Sequence, residues 1–108
     1  MKIMNNELQK SRIGSSFIGY MYATYEQLTK SFGKPYIPDE LNSKTDVEWI
    51  LKTPHGVATI YNYKDGKRYL GESGLNHEKI CEWHVGSKNI NSYQWLRNQV
   101  EDSLLSEL

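Results

Sequence analysis

Four stretches of the chain either alternate apolar and polar residues with a period of two or run in β-branched and aromatic residues. They are IGSSFIGYMYA (13–23), DVEWILK (46–52), VATIYNY (57–63) and ICEWHVG (80–86). Both patterns are typical of β-strands, whose successive side chains point to opposite faces of a sheet. In the first stretch, Ile18, Tyr20 and Tyr22 are expected on one face, opposite Phe17. Because this stretch contains two glycines, a helix is the alternative interpretation.

A short amphipathic helix is predicted between the first two strands, over Tyr25 to Phe32. Thr24 and Gln27 have the spacing of a capping box, in which each side chain reaches the backbone N–H of the other residue. Apolar side chains then recur at spacings of three and four. Gly33 and Pro35 follow the last of them, and this pair is typical of a helix end.

A second helix of about four turns is predicted at the end of the chain. Asn91 or Ser92 is the expected N-cap residue. Four apolar or aromatic side chains then form one stripe at helical spacing, namely Tyr93, Leu96, Val100 and Leu104.

Tight turns are predicted between the later strands. Pro54 and Gly56 indicate the first turn, and Asp65-Gly66 indicates a hairpin turn. Residues 68–79 are expected to begin with a short edge strand and continue as a loop. Since tight turns join antiparallel strands, the prediction is an α+β fold in the order β-α-β-β-(β)-β-α. Its antiparallel sheet would have four to five strands, with two helices packed on one face.

The length and composition predict a single domain over residues 1–108, with residues 1–12 as a frayed tail or a short helical turn. One cysteine, no apolar leader and no run of eighteen apolar residues predict a cytoplasmic protein without a membrane span. Thirteen Lys and Arg balance thirteen Asp and Glu. Nucleic-acid binders normally carry a basic surplus, so a nucleic-acid partner is not expected.

The segment ICEWHVG raises the question of a metal site, because His77, Cys81 and His84 are all zinc-binding residue types. Residues three apart on a strand point to opposite faces, so Cys81 and His84 are not expected to hold one ion. No metal and no cofactor are therefore predicted. The strand would place Cys81, Trp83 and Val85 inward and Ile80, Glu82 and His84 outward.

Two weaker signals for chemistry lie near this strand. Glu82 and His84 share a face and could act as an acid–base pair, but no spacing places a nucleophile beside them. Gly71 and Gly74 form a G-x-x-G near basic residues, but no Walker lysine and serine follow. The chain is therefore predicted not to be an enzyme, and the glycine segment is predicted to be an ordinary loop.

Tyrosine is unusually frequent, at eight of 108 residues. Tyr20 and Tyr22 share one strand face, and Tyr61 and Tyr63 share another. If both helices cover one face of the sheet, some of these rings and Ile50 are expected to stay exposed on the other. Tyrosine is favoured at protein interfaces, where the apolar ring and the polar tip are both useful. Base stacking on such a face is the second interpretation.

Four motifs carry a resemblance to a known group of proteins: ATYEQLTKSFGKP, DVEWIL, GVATIYNYKDG and EWHVGS. Together they resemble a family of small proteins from bacteriophages and related mobile elements, over Gly19 to Ser87. The chain departs from the family pattern at His55-Gly56, which precedes Val57 directly, and at Val85, where isoleucine is usual. No catalytic residues carry over from that family. The resemblance implies an accessory phage protein, a class that often inhibits host defence by binding a host protein.

The predicted function is therefore a non-enzymatic protein-binding module. It would be a phage-type, anti-CRISPR-like inhibitor that occludes a host defence component in the host cytoplasm, and a homodimer is also expected. One alternative is a small-ligand or nucleotide-sequestering protein that uses Lys67, Arg68, His84 and the tyrosines. Another is a small nuclease-type enzyme centred on Glu82 and His84. The predicted contact surface comprises the open sheet face and the loop YKDGKRYLGESG (63–74). Its candidate residues are Ile50, Tyr61, Tyr63, Lys67, Arg68, Glu82 and His84.

Overall fold

A computed structural model describes residues 15–39 and 44–105 of the chain. The expectation of a frayed tail at residues 1–12 lies outside the described residues, as does the start of the first predicted strand. Along the chain the elements are β1 (Ser16–Tyr22), α1 (Tyr25–Phe32), β2 (Glu48–Thr53), β3 (Gly56–Tyr61), α2 (Lys67–Leu70), the 3-10 turns Gly71–Ser73 and His77–Lys79, β4 (Glu82–Ser87) and α3 (Ile90–Leu105).

The four strands form one antiparallel sheet in the order β1-β4-β3-β2. Buried side chains of α1 and α3 share one core cluster with one face of this sheet. The predicted α+β fold with an antiparallel sheet of four to five strands and a helix layer is confirmed. Tyr36, which belongs to none of the four strands, forms an isolated antiparallel bridge with Glu48, the first residue of β2.

Two tryptophans occupy the centre of the core. Trp49 on β2 and Trp83 on β4 are fully buried and meet edge to face, with ring centroids 5.2 Å apart. Each indole N–H has a backbone acceptor, at Gly33 (2.8 Å) and at Ala23 (2.9 Å). A buried indole needs such a partner, because an unpaired donor in the core costs stability. These bonds also tie both ends of α1 to the sheet.

The helix α1 has the predicted bounds and the predicted cap. The Gln27 amide donates to the Thr24 hydroxyl (3.0 Å), and the Thr24 amide donates to the Gln27 side-chain carbonyl (2.8 Å). Gly33 follows the helix with a φ of 87°, a conformation that favours glycine. The capping box and the terminating glycine are therefore confirmed.

The helix α3 is confirmed, but its predicted cap is wrong. The side chain of Asn89 accepts from the Ser92 amide (2.9 Å), so the helix begins at Ile90 rather than after Asn91 or Ser92. Of the predicted stripe, Leu96 and Val100 are buried. The two outer members, Tyr93 and Leu104, are partly buried against the same core.

The predicted hairpin turn at Asp65-Gly66 and the edge strand after it are wrong. A helical turn, α2, begins at Lys67, and the Leu70 amide donates to the Gly66 carbonyl. No fifth strand occurs between β3 and β4, a segment that the structure describes throughout. Gly74 packs so closely on Gly66 that a side chain at position 74 would overlap the Gly66 backbone. Gly74 therefore serves the packing of this loop.

A buried asparagine explains why the chain turns away from the sheet after β3. Asn62 accepts from the backbone amides of Asp46 (2.8 Å) and Val47 (3.1 Å). Its amide group donates to the carboxylates of Asp46 (2.8 Å) and Asp65 (3.1 Å). Gly66 lies against the Asp46 carboxylate, where any Cβ would overlap it. This tertiary network replaces the local hairpin preference of an Asp-Gly pair.

The start of β4 also differs from the prediction. Ile80, expected outward, is buried, and Cys81, expected inward, is exposed. The strand begins at Glu82, and the preceding 3-10 turn ends with the Ile80 amide donating to His77 (3.2 Å). Because the alternation does not extend back through this turn, the two side chains exchange places. Within the strand, Trp83 lies inward as predicted.

Candidate functional site

The sheet face opposite the helices carries a group of aromatic side chains centred on His84. The strand register pairs His84 with Tyr20 of β1 on one side and with Tyr61 of β3 on the other. Directly opposed residues of antiparallel strands have side chains on the same face, close enough to touch. The ring centroids of His84 and its neighbours are 5.0 Å apart for Tyr20, 5.2 Å for Phe17, 5.4 Å for Tyr63 and 5.6 Å for Tyr61.

These rings, with Tyr22, form what we name the His84 cluster: Phe17, Tyr20, Tyr22, Tyr61, Tyr63 and His84. Tyr61 stacks on the imidazole at an interplanar angle of 30°. Phe17 meets Tyr20 edge to face, with centroids 5.1 Å apart, and Tyr22 lies 6.4 Å from Tyr20. Such geometries favour aromatic pairs, so the cluster is held together by its own ring contacts.

A β-bulge brings Phe17 into the cluster. The β1–β4 register shifts between Phe17 and Gly19, so one residue of β1, Ile18, has no opposite partner. The shift puts Phe17 on the same face as Tyr20, whereas Ile18 packs against the core. The expected faces of Phe17 and Ile18 are therefore wrong, because the alternation is interrupted by one extra residue.

Gly19 marks the site of this bulge. A Cβ at this position would lie 2.7 Å from the Tyr93 ring, whose hydroxyl donates to the Tyr20 carbonyl (2.6 Å). Tyr93 thus covers part of the outer edge of β1. A glycine inside a strand pattern is a known sign of a bulge or of a close backbone approach. It is the sequence signal that could have placed Phe17 correctly.

The outer face is open on its β1–β4 half and covered on its β2–β3 half. The exposed fractions are 49% for Phe17, 42% for Tyr20, 71% for Tyr22 and 39% for Tyr63. In contrast, Ile50 is 0% exposed, and Glu48 and Thr59 beside it on the same face are also buried. The expectation that Ile50 stays exposed is therefore wrong.

Electrostatics around His84 favour its neutral form. Burial lowers the pKa of His84, while the carboxylates of Asp65 and Glu82 act in the opposite direction. The Nδ1 atom is buried without a hydrogen-bond partner. Burial also raises the pKa of Tyr61, and nearby Glu48 and Tyr63 raise it further. At neutral pH the centre of the cluster is thus an uncharged ring, which suits it to packing.

The structure groups four of the seven predicted site residues, namely Tyr61, Tyr63, Glu82 and His84. Arg68 is engaged elsewhere, because its guanidinium donates to the carbonyls of Pro38 and Asp39, both at 2.8 Å. Lys67 is exposed on α2.

One end of the cluster already holds a cation of the chain itself. The ammonium of Lys64 lies 5.2 Å from the Tyr63 ring centroid and 5.6 Å from that of Tyr69. These distances are within the range of cation–π attraction. Lys64 has a φ of 61°, and its amide donates to the Lys44 carbonyl (2.9 Å). Nothing in the local sequence pattern indicates that Lys64 lies over two rings.

Metal-ligating residues are dispersed. Within residues 15–39 and 44–105, no three His, Cys, Asp or Glu residues are grouped so as to hold a metal ion. His77 packs its ring on Tyr25, with centroids 5.0 Å apart, and Cys81 is exposed. No helix in the described ranges is long and apolar enough to cross a bilayer.

No protein-family model matches the chain, and no curated protein matches its sequence. The resemblance to small phage proteins therefore stays a prediction that depends on the quoted motifs alone.

Proposed function

We propose that the protein is a non-enzymatic binding module whose contact surface is the His84 cluster. The observation that supports this proposal most directly is the exposure of Phe17, Tyr20, Tyr22 and Tyr63 side by side on one face. Single exposed apolar residues are common on protein surfaces, but contiguous patches mark interaction sites. Tyrosine and phenylalanine are enriched in the buried centres of protein–protein interfaces.

The rings of this surface are already ordered before any partner arrives. Each ring of the cluster touches at least one other, and the strand register fixes their backbone positions. An interface formed from pre-ordered side chains loses less conformational entropy on binding. Aromatic side chains also have few rotatable bonds, so large contact areas form at small entropic cost.

The biological role that we propose is inhibition of a host defence system by occlusion, in the host cytoplasm, as expected for a phage-type, anti-CRISPR-like protein. This role depends on the resemblance of the motifs to phage proteins. The exposed aromatic rings of this surface are compatible with covering a host protein. Self-association of the same surface into a homodimer is a further proposal, since two-fold dimers are the commonest oligomers.

The nucleotide-binding alternative is less well supported than protein binding. Its basic residues were Lys67 and Arg68, and the guanidinium of Arg68 donates to two backbone carbonyls rather than facing the cluster. A nuclease centred on Glu82 and His84 would need further groups to bind the phosphate and activate water. The groups that surround the imidazole are instead aromatic rings.

The proposed function is tested by affinity capture from host lysate with quantitative mass spectrometry. The bait proteins are the wild type, a Tyr20→Ser/Tyr22→Ser variant and a matched control, Ile90→Ser, which changes an exposed apolar residue on α3. We expect one host protein or complex to be enriched by the wild type and the control and lost with the double variant. Equal enrichment by all three baits would contradict the proposed surface.

The defence role has its own test. Host cells that carry an active defence system are challenged with a phage that this system restricts, with and without the protein. We expect the wild type and Ile90→Ser to restore plaque formation, and the double variant to restore it much less. If the wild type leaves restriction unchanged against every system of the host from which the partner was captured, the anti-defence role is wrong.

A further inference from the structure

Carboxylates surround the His84 cluster. Glu82 on β4 and Asp65 after β3 lie close enough to influence the imidazole, and Glu48 on β2 influences Tyr61. Glu82 is exposed and shares a face with His84, two residues away along the strand. The imidazole itself is neutral at pH 7, and the Lys64 ammonium lies at the Tyr63 end of the cluster, so the carboxylate of Glu82 sets the sign of the charge at the Tyr22 end. A cationic group of a partner is attracted to that end, and a phosphate is repelled.

The two ends of the cluster differ in whether a cation is present. Lys64 covers the Tyr63 end. At the opposite end, Arg97 lines the same groove as Tyr20 and Tyr22 but lies over the Tyr93 ring, 5.6 Å from its centroid, and the described residues place no cation over Tyr20 or Tyr22 themselves. Tyr22 is paired in register with Glu82, so an exposed ring and an exposed carboxylate lie next to each other on the same face. This end combines the two features that bind a cation, and no cation of the described residues is seen bound to them.

We propose that the Tyr20–Tyr22–Glu82 end of the cluster binds an arginine side chain of the partner protein. The guanidinium stacks on the tyrosine rings and donates hydrogen bonds to the Glu82 carboxylate. This inference depends on the proposed function and names the chemical group that the protein-binding surface recognises.

Guanidinium fits this geometry better than ammonium. It is planar and weakly hydrated, so it can lie flat on a ring, and its N–H groups match a carboxylate in pairs. The Tyr20 and Tyr22 rings are tilted by only 31° relative to each other, so both can present a face to the same planar group. Lysine lacks the flat face and the paired donors, although it carries the same charge.

The test is an NMR titration of the full-length protein with three acetylated peptides of equal length. They contain arginine, lysine or citrulline at the same three positions, and citrulline keeps the shape of arginine without its charge. We expect the arginine peptide to shift the resonances of Tyr20, Tyr22, Glu82 and His84 and to bind at least about threefold more tightly than the citrulline peptide. An oligouridylate of six nucleotides is the fourth probe, and we expect it to leave these resonances unchanged.

Four variants locate the site. Tyr22→Ala and Glu82→Gln are each expected to weaken binding of the arginine peptide by about twofold to fivefold, the range for exposed cation–π contacts and exposed ion pairs. Tyr22→Phe keeps the ring and should retain binding. Glu78→Gln, an exposed carboxylate in the 3-10 turn His77–Lys79, is the matched control and should bind as the wild type does. The dispersion of each amide spectrum shows that the variant is folded.

The outcomes separate this inference from the proposed function. If the arginine and citrulline peptides bind equally, or if Glu82→Gln leaves binding unchanged, the arginine site is wrong, while capture of a host protein through Tyr20 and Tyr22 can still stand. If the arginine peptide binds at Tyr22 but the Tyr20→Ser/Tyr22→Ser variant still captures the same host protein, the arginine site is supported. The His84 cluster is then not the surface that binds the host protein. Shifts at Tyr20 and Tyr22 with the oligouridylate alone would overturn the inference in favour of base stacking.

Discussion

The two faces of the sheet are made from the same strands and both carry aromatic rings, yet the rings are buried on one face and partly exposed to water on the other. On the helix side, Trp49 and Trp83 are fully buried and each indole N–H has a backbone acceptor. On the other side, Tyr20 and Tyr22 contact each other but leave much of their surface in water. Aromatic content alone therefore does not separate a core from a binding surface.

The rings on the two faces differ in how much of their surface is buried, and therefore in how much they contribute to folding. A buried ring stabilises the fold in proportion to the surface that it removes from water. A ring that stays half exposed contributes less to folding and keeps surface that a partner can bury. We therefore expect substitutions on the two faces to have separable effects on stability and on binding.

The largest effect is expected from Trp83→Ala. It removes the ring at the centre of the core and leaves Trp49 without its edge-to-face partner. The expected loss is roughly 3–5 kcal/mol of unfolding free energy, measured by urea denaturation. Tyr22→Ala, on the exposed face, is the comparison. An equal loss in both variants would remove the distinction between the faces.

Asn62→Ala should come next. It leaves the amides of Asp46 and Val47 without their acceptor at a buried position. The expected loss is roughly 1–3 kcal/mol, measured in the same way. Asn98→Ala, an exposed residue on α3, is the control and should change little. A variant as stable as the wild type would show that the network does not hold the loop after β3.

Gly19→Ala tests the bulge that brings Phe17 into the cluster. The new methyl group would lie 2.7 Å from the Tyr93 ring. The expected destabilisation is about 1–3 kcal/mol, read from thermal or urea unfolding. A second substitution, Tyr93→Leu, should relieve the contact, so the double variant should lose less than the sum of the two single losses. Strict additivity would contradict the close approach.

The smallest stability effect concerns His84 and pH. Burial holds its folded-state pKa below the ordinary value of about 6.5, so the unfolded chain binds a proton more readily. Neutral His84 makes its full contribution to the free energy of unfolding above about pH 6.5. This contribution is lost as the pH falls below that value and through the folded-state pKa. His84→Phe should flatten that part of the stability–pH curve, measured by urea unfolding at several pH values. His55→Gln, on an exposed turn, should leave it in place, and an unchanged slope in His84→Phe would contradict this account.

The parts of the fold that local signals specify were predictable from the sequence. The helix α1 has its predicted ends, because the capping box and the terminating glycine act within a few residues of the chain. The alternation in β4 placed His84 and Trp83 on opposite faces for the same reason. The joint placement of Tyr61 and His84 also followed, once adjacent strands were assumed to be antiparallel.

The parts that depend on distant contacts were not predictable. The α2 turn replaces a hairpin because Asn62 contacts Asp46, sixteen residues earlier. Phe17 enters the cluster through a bulge whose partner strand lies about seventy residues away. The proximity of Tyr20 to His84 requires β1 to pair with β4, a choice of sheet order that alternation within one strand does not encode.

Site-specific photo-crosslinking tests most directly whether the open half of this face is the binding surface. A benzoylphenylalanine replaces Tyr22 in one protein and Gln94, an exposed residue on α3, in another. In host cells we predict a single crosslinked partner from position 22 and none from position 94. Crosslinks of equal yield at both positions, or a partner captured only from position 94, would contradict the assignment of binding to this face.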